Sequence, residues 1–186
     1  NLEEAYLYGL VSVNQTDPSG SGVLEKAVEA AAYEDRVLGY PLSYDACVFI
    51  YQTDYFTEAP ASLQAIIDYS NENEPAENVE YLLEWDVKDA FYDFPFVGNS
   101  VTFAKRGSDE LDITYDDTLY QQDLEYFDTI LASFSIDADQ VSEQHIVNNF
   151  REGRTLSAIL DTDTLWQLDG YDYGLMQMPE LSDTLS

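Results

Sequence analysis

Basic residues are scarce: 7 Lys and Arg stand against 37 Asp and Glu, a net charge of −30. Such a surface repels phosphate backbones and anionic headgroups, so nucleic acid is excluded as a partner. The excess reads either as a solvated acidic surface or as a cation site. With one cysteine, Cys47, the chain has no internal disulfide and no multi-cysteine metal site. Set in "ACVFIY", Cys47 reads as a small buried hydrophobe. One histidine, His145, leaves no partner for a His/Cys zinc site or a thiol pair, and it is expected at the surface.

Other absences narrow the function further. No apolar run reaches the roughly eighteen residues needed to span a bilayer. The chain opens on Asn1 without a charged-then-apolar leader and is read as a piece of a longer protein. There is no Gly-rich phosphate loop and no nucleophile elbow. "DADQVSEQ" and "DTDTLWQLD" start like calcium loops but lack the sixth-position glycine and the terminal bidentate Glu. Carboxylate pairs are too numerous for any one to signal glycoside hydrolysis. The expectation is a non-enzyme without metal or cofactor.

What is present is a folded chain, with 186 residues, 45% hydrophobic and 14% aromatic. After the turn-rich stretch at 14–22, Val23, Ala27, Val28 and Ala31 take helical spacing, predicting a helix over 22–33. "RVLGYPL" and "ACVFIYQ" read as strands. Ser62 is placed to cap a helix carrying Leu63, Ile66 and Ile67. "VEYLLEWDV" alternates, predicting a strand with Val79, Tyr81, Leu83, Trp85 and Val87 inward and Glu80, Glu84 and Asp86 in water. "TFAKRGSDELDITY" predicts a hairpin around Arg106, Gly107 and Ser108. The clearest helix carries Leu124, Phe127, Leu131 and Phe134 on one face, and a second over about 139–150 carries Val141, Ile146 and Phe150. "TLSAIL" reads as a strand, "DTDTLWQL" as a short capped helix and "DYGLMQM" as a last strand. Strands alternating with helices predict an α/β layer fold.

Three stretches carry a resemblance. "YEDRVLGYPLSYDACVFIYQTDYF" resembles the hinge-crossing stretch of the extracellular solute-binding proteins of ABC transporters, the group that includes the maltodextrin-binding proteins. "EAPASLQAIIDYSNE" is similar to that family's proline-then-helix segment, with Ala61-Ser62-Leu63 in place of the usual Thr-Trp. "FREGRTLSAILDTDTLWQLDGYDYGLMQMPEL" resembles its Phe, Gly, strand, short helix and Tyr-Gly strand order. The likeness runs from about residue 22 to 181.

The resemblance implies one lobe of a periplasmic-binding-protein-like (type II) fold over 1–186, a mixed sheet flanked by helices, with 1–21 as linker or irregular chain. It corresponds to the carboxyl-terminal lobe, so the amino-terminal lobe is expected as a partner elsewhere in the same chain. Function follows as uptake of a small-molecule solute, a carbohydrate or another polyhydroxylated or cationic species, delivered to the membrane permease of an ABC transporter. The implied location is extracellular or cell-surface, on a lipid anchor outside this segment. The implied ligand residues are Tyr44, Asp45, Asp89, Phe91, Asp161 and Asp163: an aromatic face for a sugar ring, edged by carboxylates that accept from hydroxyls. Asp45 reads equally as a turn residue between two strands. Where relatives have Gly-Pro-Trp, this chain has Asp161-Thr162-Asp163, and Trp166 is expected in the core. The alternative function is an interaction module that kept the fold and lost the pocket, presenting acid to a basic partner.

Overall fold

The computed structural model describes residues 2–16, 18, 22–106 and 110–180, which form two compact units, one ending at Asp45 and the other beginning at Ala46. In the first, α1 (Leu2–Leu7) and α2 (Glu25–Ala30) accompany a two-residue hairpin, β1 (Ala32–Tyr33) with β2 (Arg36–Val37). Helix α2 is shorter than the spacing predicted, because the chain turns into β1 directly after Ala31. The strand expected over "RVLGYPL" is confined to Arg36–Val37. Beyond it residues 38–46 take no regular structure, and Leu42 is 98% exposed, since Gly39 and Pro41 interrupt any ladder.

The second unit is built on β3 (Cys47–Tyr51), which lies between β6 (Ser157–Asp161) and β7 (Gly174–Met176), antiparallel to both. Parallel bridges from Tyr81 to Thr155 and from Glu84 to Ala158 extend the sheet past β6, which makes it mixed. Side chains alternate along β3 and β6 as a two-sided sheet requires. Phe49 and Ile159 face a core with Leu63, Trp85, Phe96 and Ile130, while Ile50, Ala158 and Leu160 face Val141, Ile146 and Phe150. Helices α3 (Leu63–Glu72), α4 (Ala90–Val97) and α5 (Asp117–Phe134) supply the first core, and α6 (Glu143–Arg151) the second. Gly174 is required by packing: a Cβ there would lie 2.0 Å from the ring of Tyr51, its register partner.

Local signals explain most boundaries. Ser62 accepts from the Ala65 amide at the start of α3, Ser142 from the His145 amide at α6, and Asp116 from two amides at α5. The hairpin β4 (Val101–Arg106) with β5 (Glu110–Tyr115) is antiparallel as expected; its tip, 107–109, lies outside the described residues. The aromatic run at 90–97 is the helix α4, containing Pro95, which has no N–H to return to the Phe91 carbonyl.

Three expectations are corrected. "VEYLLEWDV" is not an alternating strand: the chain bends at Leu82, so Leu83, Glu84 and Trp85 are all buried. The wet face assigned to Glu84 does not exist. On α5, Phe127, Leu131 and Phe134 pack on the core as expected, joined by Asp123 and Ile130, but Leu124 is 43% exposed. Trp166, expected in the core, is 75% exposed on the short 3-10 helix Leu165–Leu168, where Thr164 provides no side-chain cap.

Candidate functional site

The implied ligand residues fall in two places. On the first unit, Tyr44 and Asp45 border an open concavity of about 430 Å³ whose other walls include Ala27, Ala31, Tyr40 and Pro41. Its lining is apolar apart from hydroxyls and the Asp45 carboxylate. Tyr44 is half exposed, and Asp45 stands in irregular chain.

On the second unit, Asp89, Phe91 and Asp161 are brought together by a residue that sequence reasoning missed, Tyr92. Asp89 is the N-cap of α4, its carboxylate accepting from the Phe91 amide at 2.9 Å. This cap places Phe91 in the first turn, 43% exposed, with its ring edge-on to Tyr92 at 5.3 Å. Tyr92 is buried and donates its hydroxyl to Asp161 Oδ2 at 3.3 Å. Burial, and then the Asp161 charge, push that phenol well above its ordinary range, so it remains a donor at any working pH.

Asp161 ends β6 and carries a second load: its Oδ1 accepts from the Thr164 amide at 2.6 Å, closing the turn that contains Asp163. Between them Thr162 is tied to Ala46 by two bonds, Thr162 N–H to the Ala46 carbonyl and Ala46 N–H to Thr162 Oγ1. Asp163 is exposed on this pinned turn, and Trp166 follows it in water. The result is a wall with an exposed ring at 91 and carboxylates at 89 and 161, joined through Asp161 to the turn that carries Asp163. Such a wall can stack on an apolar ring face and accept hydroxyl protons. It holds no nucleophile-base pair, and among the described residues no group of three or more metal-ligating side chains comes together.

Deeper under α4, Trp85 donates its indole N–H to Asp93 Oδ1 at 2.9 Å and stacks on Phe96, so the helix bearing Phe91 is anchored from below. Burial raises the Asp93 carboxyl, and the indole bond offsets part of that rise. A signal for Tyr92 was available in principle, since Asp89 caps any helix beginning at 90. The partnership with Asp161 spans 69 residues and has no local trace.

Comparison with solved structures gives the architecture a parallel. The chain aligns over 97% of its length with the Staphylococcus aureus extracellular solute-binding protein solved with maltose, at TM-score 0.70 and 18% identity. It aligns over its whole length with the Thermus thermophilus maltotriose binding protein bound with maltotriose, at TM-score 0.71 and 16% identity. A cyclo/maltodextrin-binding protein complexed with maltotetraose matches over 96%, at TM-score 0.70 and 18% identity. The chain has the fold of the extracellular solute-binding proteins. It spans about half the length of these relatives, 50%, 51% and 48% of their chains. No protein-family model and no curated protein sequence matches. The type II solute-binding fold expected from the three sequence stretches is therefore present. No described helix is long and apolar enough to cross a membrane.

Proposed function

We propose that this chain is part of an extracytoplasmic solute-binding protein that captures a carbohydrate and serves an ABC-transporter permease without catalysing a reaction. The observation that carries this reading is the wall on the second unit: Phe91 set out in water by the Asp89 cap, Tyr92 bonded to Asp161, and Asp163 exposed on the pinned turn with Trp166 exposed after it. A ring face edged by carboxylates suits a polyhydroxylated ring, and it suits a cationic solute better than an anionic one. The bound sugars of the structurally similar proteins, maltose, maltotriose and maltotetraose, name the first candidates. Tyr44 and Asp45, on the first unit, are proposed as additional ligand contacts. Export to the cell surface on a lipid anchor, and a further lobe in the full-length protein, belong to the same proposal.

Calorimetric titration with maltose, maltotriose, maltotetraose and a set of cationic amines tests it. Binding of one class, lost in Phe91→Ala and Trp166→Ala while the fold persists, supports the reading. Silence toward every solute overturns it.

A second reading draws on the acids of Asp161-Thr162-Asp163, which stand where the resemblance implies Gly-Pro-Trp. There the acidic face binds a basic protein partner, and a salt-sensitive complex with a defined cationic protein, formed without any solute response, is its signature.

A further inference from the structure

On the second unit, a run of exposed apolar side chains is unused by the proposed solute wall. Phe94 on α4, and Phe103, Ile113 and Tyr115 on the β4–β5 hairpin, are 44–60% exposed. The run is continuous. The Phe94 and Phe103 rings lie 5.8 Å apart, Phe103 and Ile113 are register partners across the hairpin, and the Tyr115 and Tyr120 rings lie 5.5 Å apart. Ile113 and Tyr115, two apart on β5, share one face, and the exposed Leu124 stands one turn beyond Tyr120 on α5.

The ribbon that carries this run has little cover of its own. β4 and β5 form a two-stranded sheet separate from the central one, and among the described residues no third strand pairs with either edge. An isolated strand pair is marginally stable in water and is strengthened by a further layer over its apolar face. Large apolar side chains gathered in one exposed patch mark an interaction site.

Charge selects what covers the patch. The stretch 94–111 holds Lys105 and Arg106 against Asp109 and Glu110, so it is neutral in a chain of net charge −30. Lys105 and Arg106 end β4 and are the only Lys or Arg between Lys88 and Arg151. Helix α5, at the other end of the run, has none, and Asp117 and Asp128 stand exposed three residues before Tyr120 and four after Leu124. A cationic protein is drawn to the acidic remainder of the surface before this neutral patch, and anionic headgroups are repelled by that remainder. A second copy of this chain meets neither obstacle. Its neutral patch faces this one, and a two-fold axis puts the cation-bearing strand end of each copy beside the acids of the other copy's α5.

We propose that this aromatic face is a homodimer interface, in which the hairpins of two copies pack face to face about a two-fold axis at the Phe103–Ile113 pair. Such an interface is isologous, so every element of the patch is used twice. Apolar area supplies the attraction, the crossed contacts between Lys or Arg and Asp fix the register, and the neutral centre lets two chains of like charge approach.

The test is sedimentation equilibrium of the 186-residue chain at physiological ionic strength. A monomer–dimer equilibrium is expected, with a dissociation constant on the order of 10 μM, in keeping with a small interface. Phe103→Asp should weaken it by about 30-fold or more, as the loss of a central anchor does. The variant's Tm should change little, because the side chain is half in water. One variant carrying Lys105→Glu with Arg106→Glu, and another carrying Asp117→Lys with Asp128→Lys, should each be monomeric alone. Mixed, they should dimerise one to one, because both crossed contacts then join opposite charges. A wild-type chain that stays monomeric to about 1 mM overturns the proposal, even where a cationic protein or a lipid vesicle binds the patch instead. A dimer indifferent to Phe103→Asp overturns it, as does a mixture no more dimeric than its components. Should the hairpin variants fail to fold, wild-type amide shifts on dilution decide: those of 101–106 and 110–115 are expected to move, and movement confined to other segments overturns the interface.

Discussion

Two carboxylates flank strand β6 and do opposite work. Asp161, at its end, is partly exposed and holds a turn and a tyrosine hydroxyl in place at the edge of the proposed solute wall. Glu84, bridged to its middle, is sealed inside with Asn149 and Thr155, and the fold works against its charge. Exposure makes the difference. A carboxylate that keeps water on one side can organise donors at little cost, whereas a buried one must be supplied with donors or give up its charge.

Removing the donors from the buried member should have the largest effect. Asn149→Leu strips Glu84 of its amide donor, and a loss of about 3 kcal/mol is expected in denaturant unfolding at pH 8, shrinking at pH 5 as the carboxyl takes up a proton. A loss that is the same at both pH values would place the cost in packing and break the contrast. Gly174→Ala is the control away from both carboxylates. It drives a methyl into the Tyr51 ring and should cost about 2 kcal/mol at every pH. Asp161→Asn keeps an acceptor for the Thr164 amide but weakens the bond from Tyr92, for a loss of about 1 kcal/mol without the pH dependence of Asn149→Leu. Tyr92→Phe should match it if the two residues act as a pair; a sum equal to the separate losses in the double variant would dissolve that pair. The smallest change in stability is expected for Trp166→Ala, within about 0.5 kcal/mol, because its side chain is in water. Its effect belongs to solute affinity, with a loss of roughly tenfold if the indole stacks on a sugar ring.

Much of the fold was legible locally. The cap at Ser62 begins its helix as expected, and the strand runs 47–51 and 157–161 pair in full register. Uniform alternation misled at Glu84, because the strand breaks at the Leu82 bend and the bridge to Ala158 carries Glu84 inside beside Leu83 and Trp85, which are buried as their spacing predicts. Trp166 misled for a different reason. A large apolar side chain is usually drawn inward, but the turn closed by Asp161 sets the short helix so that the indole points into solvent. Of the wall, the Asp89 cap and the position of Phe91 could be anticipated from neighbouring residues. Tyr92 bonded to Asp161 could not.

By itself the amino-acid sequence determined an acidic, folded chain of alternating strands and helices with a cap at Ser62, since net charge, apolar periodicity and cap chemistry are properties of residues near one another in the chain. Only the tertiary structure decided which of the many acids lie in the interior, which ring stands in water, and which amide faces which carboxylate. Burial and hydrogen-bond partnership are set by segments as far apart as Glu84 and Thr155, 71 residues away along the chain, and the free energy of a charge depends on that surrounding far more than on its neighbours in sequence.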